Sequence, residues 1–174
     1  MTKDNQAFRK ELVSLLPRLR RFALALACDA DLAEDLLQAA IERALRKWEM
    51  FEPGRRLESW MFKIMQNLWF DMRRSAKKGP IYTDLTLDMA GDDGRVVVES
   101  REELRLAREA FSELPEDQRA VMALVVLEGF SYAEASSALD VPIGTIMSRL
   151  ARARSAIARR VQSPASISPV EKYN

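Results

Sequence analysis

Five arginines and no acid fall between Gly144 and Val161, and they are not scattered. On a wheel of about 100° per residue, Ile146, Leu150, Ala153, Ile157 and Val161 take one side. Thr145, Ser148, Arg149, Arg152, Ser155, Arg159 and Arg160 take the other. A helix with this division buries one face and offers the other to a polyanion. The plainer alternative, a solvated arginine face, leaves an uncompensated positive field on the surface.

The residues just ahead of that helix decide between the two. In Ser131-Tyr132-Ala133-Glu134 the serine accepts a hydrogen bond from the backbone and the glutamate reaches back, a capping box that starts a short helix running to about Leu139. Asp140 to Gly144 then reads as a tight turn. Short helix, turn and polar-faced second helix form the helix-turn-helix pattern, whose second helix enters the DNA major groove. Thr145, Ser148, Arg149 and Arg152 stand in its first turns, within reach of base edges or phosphates. The free N–H groups of Gly144, Thr145 and Ile146 suit a phosphate.

Composition removes whole classes of chemistry. With no histidine and the single Cys28, histidine-dependent triads, zinc fingers and internal disulfides drop out, so no catalytic residue, metal or cofactor is expected. Cys28 reads as a small filler near a helix end. No signal peptide and no run of about eighteen apolar residues is evident, which predicts a cytoplasmic protein without membrane insertion. The net charge of +1 hides an asymmetry: +5 over residues 1–79, −5 over 80–115 and +1 over 116–174. Basic ends around an acidic middle point to nucleic-acid contact at both ends.

In chain order, Phe8, Leu12, Leu15, Leu16, Leu19, Phe22, Ala23 and Leu26 predict a first helix, with Pro17 placed to kink or divide it. Asp31 and Glu34 are the expected cap of a second helix, Leu32 to about Met50, with a core stripe of Ala33, Leu37, Ala40, Ile41, Ala44 and Trp48. Leu32, Leu36 and Ala39 lie off that stripe among Asp35, Gln38, Glu42, Arg43 and Arg46. Such a strip is either a protein-binding surface or covered by a neighbouring helix. After the Pro53-Gly54 turn, Leu57, Trp60, Met61, Ile64, Met65, Leu68 and Met72 form a third stripe, surrounded by Phe62, Lys63, Gln66, Asn67, Phe70, Arg73, Arg74, Lys77 and Lys78. Aromatics among cations and an amide suit single-stranded DNA, while tryptophans at helical spacing equally suit a core. From Gly79 the periodicity stops. Helix returns over Glu99 to Leu114 with Leu104, Ala107, Ala110 and Phe111 inward, and Pro115 opens the next helix.

These elements predict an all-α chain of two small helical domains, residues 1–78 and 101–162, joined by a flexible acidic linker, 79–100, with a polar tail over 163–174.

Three stretches together carry a resemblance. DADLAEDLLQAAIERALRKWEMF, GRRLESWMFKIMQNLWFDMRR and LPEDQRAVMALVVLEGFSYAEASSALDVPIGTIMSRLARAR resemble, in order and spacing, the extracytoplasmic-function (ECF) sigma factors of the sigma-70 family. The resemblance implies a subunit of RNA polymerase that directs promoter-specific initiation without catalysis. Asp35 and Gln38, with Leu32, Leu36, Ala39 and Glu42 around them, would engage core polymerase through the β′ clamp helices, with the β subunit a further contact. Phe51, Trp60, Lys63, Asn67, Arg73 and Arg74 would open and hold the minus-10 element, and Thr145, Ser148, Arg149 and Arg152 would contact the minus-35 element. Promoter DNA and an anti-sigma factor are the other implied partners. Met147 departs from the family, many of whose members place arginine there, so the minus-35 preference is expected to differ. This reading puts Leu36 and Asn67 at the surface. A dimeric helix-turn-helix regulator on a palindromic operator is the alternative, and a Mg²⁺ nuclease using scattered acids a third.

Overall fold

The computed structural model describes residues 3–52, 54–76 and 98–162, so most of the expected linker and all of the tail lie outside the described residues. Within them every regular element is helical: α1 Lys3–Ala27, α2 Ala30–Arg46, α3 Leu57–Ala76, α4 Val98–Ser112, α5 Glu116–Met122, α6 Tyr132–Leu139 and α7 Ile143–Gln162. No described helix is long and apolar enough to cross a membrane.

Helices α1, α2 and α3 pack on one another. Pro17 lies inside α1 without dividing it. It removes one backbone donor on the exposed side, while Phe8, Leu12, Leu19, Phe22 and Leu26 bury a continuous stripe before and after it. The helix stops at Cys28, whose φ of 54° is left-handed and whose N–H closes on the Leu24 carbonyl at 2.9 Å. Glycine usually fills such a position. Here a buried thiol side chain occupies it.

The cap of α2 is Asp29 rather than Asp31, its carboxylate accepting from the Leu32 N–H at 2.8 Å. The helix ends at Arg46, and a separate 3-10 turn, Trp48–Met50, carries the chain on. Leu36 corrects the sequence reading more sharply, being fully buried in the core. It precedes Ala40 by four residues and therefore sits only about 40° from it on the wheel. Because α2 meets both α1 and α3, its buried arc is wide enough to take in Leu36.

Helix α7 is the centre of the second group, with α4, α5 and α6 packed against it. On α4 the inward residues are Leu106 and Ala110, and Leu104, expected inward, is exposed on the far side. Helix α5 widens into a π turn over Ala123–Leu127, where the Glu128 N–H reaches the Ala123 carbonyl five residues back at 3.0 Å. Gly129, at φ 71°, then turns Phe130 inward. A chain of tilted and edge-to-face ring contacts runs from Phe22 through Phe62, 4.7 Å between centroids, to Phe130 at 5.5 Å. The two helical groups thus share one apolar core, α3 lying on α6 and α1 on α5 with its π turn.

Candidate nucleic-acid interface

The turn that presents α7 is fixed by local hydrogen bonds. Ser131 Oγ accepts from the Glu134 N–H at 3.2 Å, and Glu134 accepts from the Ser131 N–H at 2.8 Å, so the expected capping box is formed. The Ser131 N–H and hydroxyl beside it, then the guanidinium of Arg56, hold the Glu134 carboxyl below its usual value. Helix α6 ends at Asp140 in the left-handed conformation, φ 56°. The Pro142 carbonyl accepts from Thr145 N–H at 2.8 Å and Ile146 N–H at 3.2 Å to open α7.

Along α7, Ile146, Leu150 and Ala153 are buried, and Ser148 and Arg152 are exposed. Thr145 is half-buried, and its carbonyl accepts from the Ser148 hydroxyl at 3.1 Å. Arg149 turns aside: its Nε lies 2.8 Å from the Asp117 carboxylate, which ties α7 to the first turn of α5. Past Arg152 the basic surface borders an open groove of about 630 Å³ that Gln118, Arg159 and Arg160 also line. Sequence reasoning missed Ile143, 48% exposed, whereas Met147, which it singled out beside the minus-35 residues, is 53% exposed. Their positions off the Ile146–Leu150 arc were the available signal.

On α3, Trp60, Lys63, Asn67 and Arg74 recur at helical spacing along one side. Asn67 is exposed, whereas Lys63 donates to the Asp140 carboxylate at 3.0 Å, in the turn before α7. Arg73 donates to Glu116 at 2.7 Å and lies over the buried Trp69 ring, and Arg74 pairs with Asp71 at 3.3 Å. Phe51 and Trp60 are half-buried, their rings meeting each other at a tilt at 5.5 Å and meeting Phe8 at 5.9 and 6.2 Å, the latter edge-on. Phe51 and Trp60 thus lie at the edge of the core, reached through buried Phe8, while Trp69 is inside it.

On α2, Asp35, Gln38 and Glu42 are exposed with Leu32, Ala39 is half-buried, and Gln38 donates to Glu42 at 3.3 Å. The outward strip is thus narrower and more polar than expected, since Leu36 has left it.

A further set of residues, Glu134 of the capping box among them, joins the two helical groups. Arg18 pairs with Glu58 and donates to Glu128 at 2.6 Å; Arg21 reaches Glu128 at 3.1 Å; Arg56 pairs with Glu58 and Glu134 and lies over Phe130. Buried Arg119 donates to the carbonyls of Ser112, Leu114 and Leu26 at 2.9, 2.7 and 2.9 Å. Among the described residues, no group of three or more Asp, Glu, Cys or His converges as a metal site would require.

Comparison with known proteins agrees with this arrangement. The family described as Sigma-70 region 2 matches residues 12–79, and Sigma-70, region 4 matches residues 104–157. The chain is 35% identical over 151 residues, 86% of its length and 82% of the relative's, to the ECF RNA polymerase sigma factor EcfG of Rhodopseudomonas palustris (strain TIE-1). It is 28% identical to the ECF RNA polymerase sigma factor SigW of Bacillus subtilis (strain 168), over 75% of each chain. Among solved structures, the sigma factor RpoE in complex with the anti-sigma factor NepR from Bartonella quintana superposes with a TM-score of 0.77 at 31% identity, covering 92% of this chain and 99% of that one.

Proposed function

The chain belongs to the sigma-70 family, in its ECF group, and from that premise we propose how its surfaces divide the work of promoter-specific initiation. As an ECF sigma factor it binds core RNA polymerase and promoter DNA. The observation that carries this is the match of both region families, in order, to one chain of 174 residues.

Residues 1–78 grip polymerase and open DNA, and 101–162 read duplex. Asp35, Gln38 and Glu42, with Leu32 and Ala39, supply the β′-facing surface; three exposed polar groups beside a small apolar patch suit a helical partner. Asn67 and Lys63 take an unstacked minus-10 base and its backbone, Phe51 and Trp60 the adjoining stacking surface, and Arg73 and Arg74 the phosphates. Ser148, Arg152 and Thr145 meet the minus-35 duplex, while Arg149 sets the angle of α7 through Asp117. The protein works in the cytoplasm beside polymerase and performs no catalysis of its own.

Lys63 and Arg73 spend their charges on Asp140 and Glu116, so these pairs separate when DNA takes them. Polymerase, holding both groups at a promoter's spacing, replaces weak intrinsic affinity by effective concentration. The likeness to RpoE, solved with the anti-sigma factor NepR, supports an anti-sigma partner for this chain too.

Run-off transcription with purified core enzyme on a promoter library tests the reading. Promoter-dependent transcripts and a 1:1 complex with core are expected, with poor binding of the free chain to duplex. A dimer bound tightly to an operator without polymerase would overturn it.

A further inference from the structure

The outer side of α7 carries two edges of different chemistry. Ser148, Arg152 and Ser155 make a polar edge. Beside it Ile143, Met147 and Ala151, all exposed, follow one another at four-residue steps. Each such step turns the helix by about 40°, so the three form a slanting apolar ridge across its first two turns. None of them serves the core, which α7 reaches through Ile146, Leu150 and Ala153. Exposed Arg152 and Arg154 flank the ridge with positive charge, which suits a phosphate-lined groove better than an apolar protein face.

In the major groove the thymine 5-methyl is the apolar group that base pairs present, and a side chain without donor or acceptor recognises it by contact. We propose that Met147, supported by Ile143 and Ala151, is a specificity-determining residue that reads a thymine methyl in the upstream duplex element, while Ser148 and Arg152 supply the polar contacts. This rests on the sigma-factor reading above and names the base that its second helical group selects. A thioether is unbranched and polarizable, so it follows the methyl without a fixed hydrogen-bond direction. It leaves a guanine at that step with unpaired acceptors, which disfavours G·C there.

The test uses holoenzyme assembled from core polymerase and the full chain. Run-off transcription from a template library randomised over the upstream element first identifies active sequences. Absence of transcripts from every template would sink the sigma-factor reading and this inference with it. With active templates in hand, each thymine of the element, on either strand, is replaced by deoxyuridine, which deletes the methyl and keeps the pairing. At one position wild type is expected to lose about fourfold in initiation, the effect of one buried methyl. Met147→Ala should lose about as much on thymine and no longer distinguish the two templates, and Met147→Leu should retain the distinction. Equal use of thymine and uracil templates by wild type, or undiminished discrimination by Met147→Ala, would overturn the proposal and leave promoter-directed transcription intact.

Discussion

Arg119 shows how much one side chain can hold. It is 8% exposed, and its guanidinium satisfies two carbonyls at the end of the α4 segment, Ser112 and Leu114, and one at the end of α1, Leu26. Replacing it with methionine keeps most of the apolar stem and removes every donor, leaving buried carbonyls without partners. The expected loss is about 3 kcal/mol of unfolding free energy, measured by urea denaturation. Cys28 lies within its field. Burial pushes the thiol's pKa up and Arg119 draws it partly back, so the thiolate stays scarce at neutral pH. A thiol reagent is therefore expected to label Cys28 only as the chain unfolds, with labelling in urea tracking the unfolding transition; rapid labelling in buffer would contradict the burial.

At the scale of elements, α6 depends on its cap. Ser131→Ala removes one half of the capping box and should cost about 1 kcal/mol. The pH dependence follows from Glu134, whose carboxyl titrates below the ordinary glutamate value of 4.5 in the folded chain. A depressed folded pKa means that its contribution is present above the ordinary value and is lost as pH falls through the lowered one. Protection factors of the α6 amides, which correct for the intrinsic pH dependence of exchange, should fall over that acid range in wild type, and Ser131→Ala should show low protection already at neutral pH. This helix and its turn were legible in the sequence because a cap is a local contract between residues three apart. The start of α2 was less so: Asp29 and Asp31 both offer carboxylates, and only chain geometry decides which meets the Leu32 N–H. Leu36 was misread for a different reason, since a helical wheel records angle but not the number of neighbours. The candidate surfaces divide the same way. Ser148 and Arg152 lie outward as their spacing implied, but the burial of Leu36 and the pairing of Lys63 and Arg149 depend on distant segments.

At the scale of the whole molecule, the ion pairs that join the two helical groups have a direction. Arg18, Arg21, Arg56, Lys63 and Arg73 come from the first group, and Glu116, Glu128, Glu134 and Asp140 from the second. The acids that meet the basic first group are thus on helices and turns of the second. These pairs differ in weight. The Glu128 side chain is 1% exposed beneath Arg18 and Arg21, and Arg18 also lies over the Phe130 ring, whereas the Asp140 side chain is 77% exposed opposite Lys63. Exposed pairs contribute about 0.2–1 kcal/mol each and are screened by salt, so Lys63–Asp140 and Arg73–Glu116 are the first to yield. Asp140→Asn with Glu116→Gln removes both acids at almost unchanged shape, and asparagine tolerates the left-handed backbone of residue 140. The double variant should bind a single-stranded minus-10 oligonucleotide about threefold to tenfold more tightly than wild type in low salt, with small-angle scattering reporting a larger radius of gyration. Raising the salt should narrow the difference, because screening weakens in wild type the pairs that the variant already lacks. An unchanged affinity and an unchanged scattering profile would mean that the buried Glu128 contacts and the apolar core hold the two groups together by themselves.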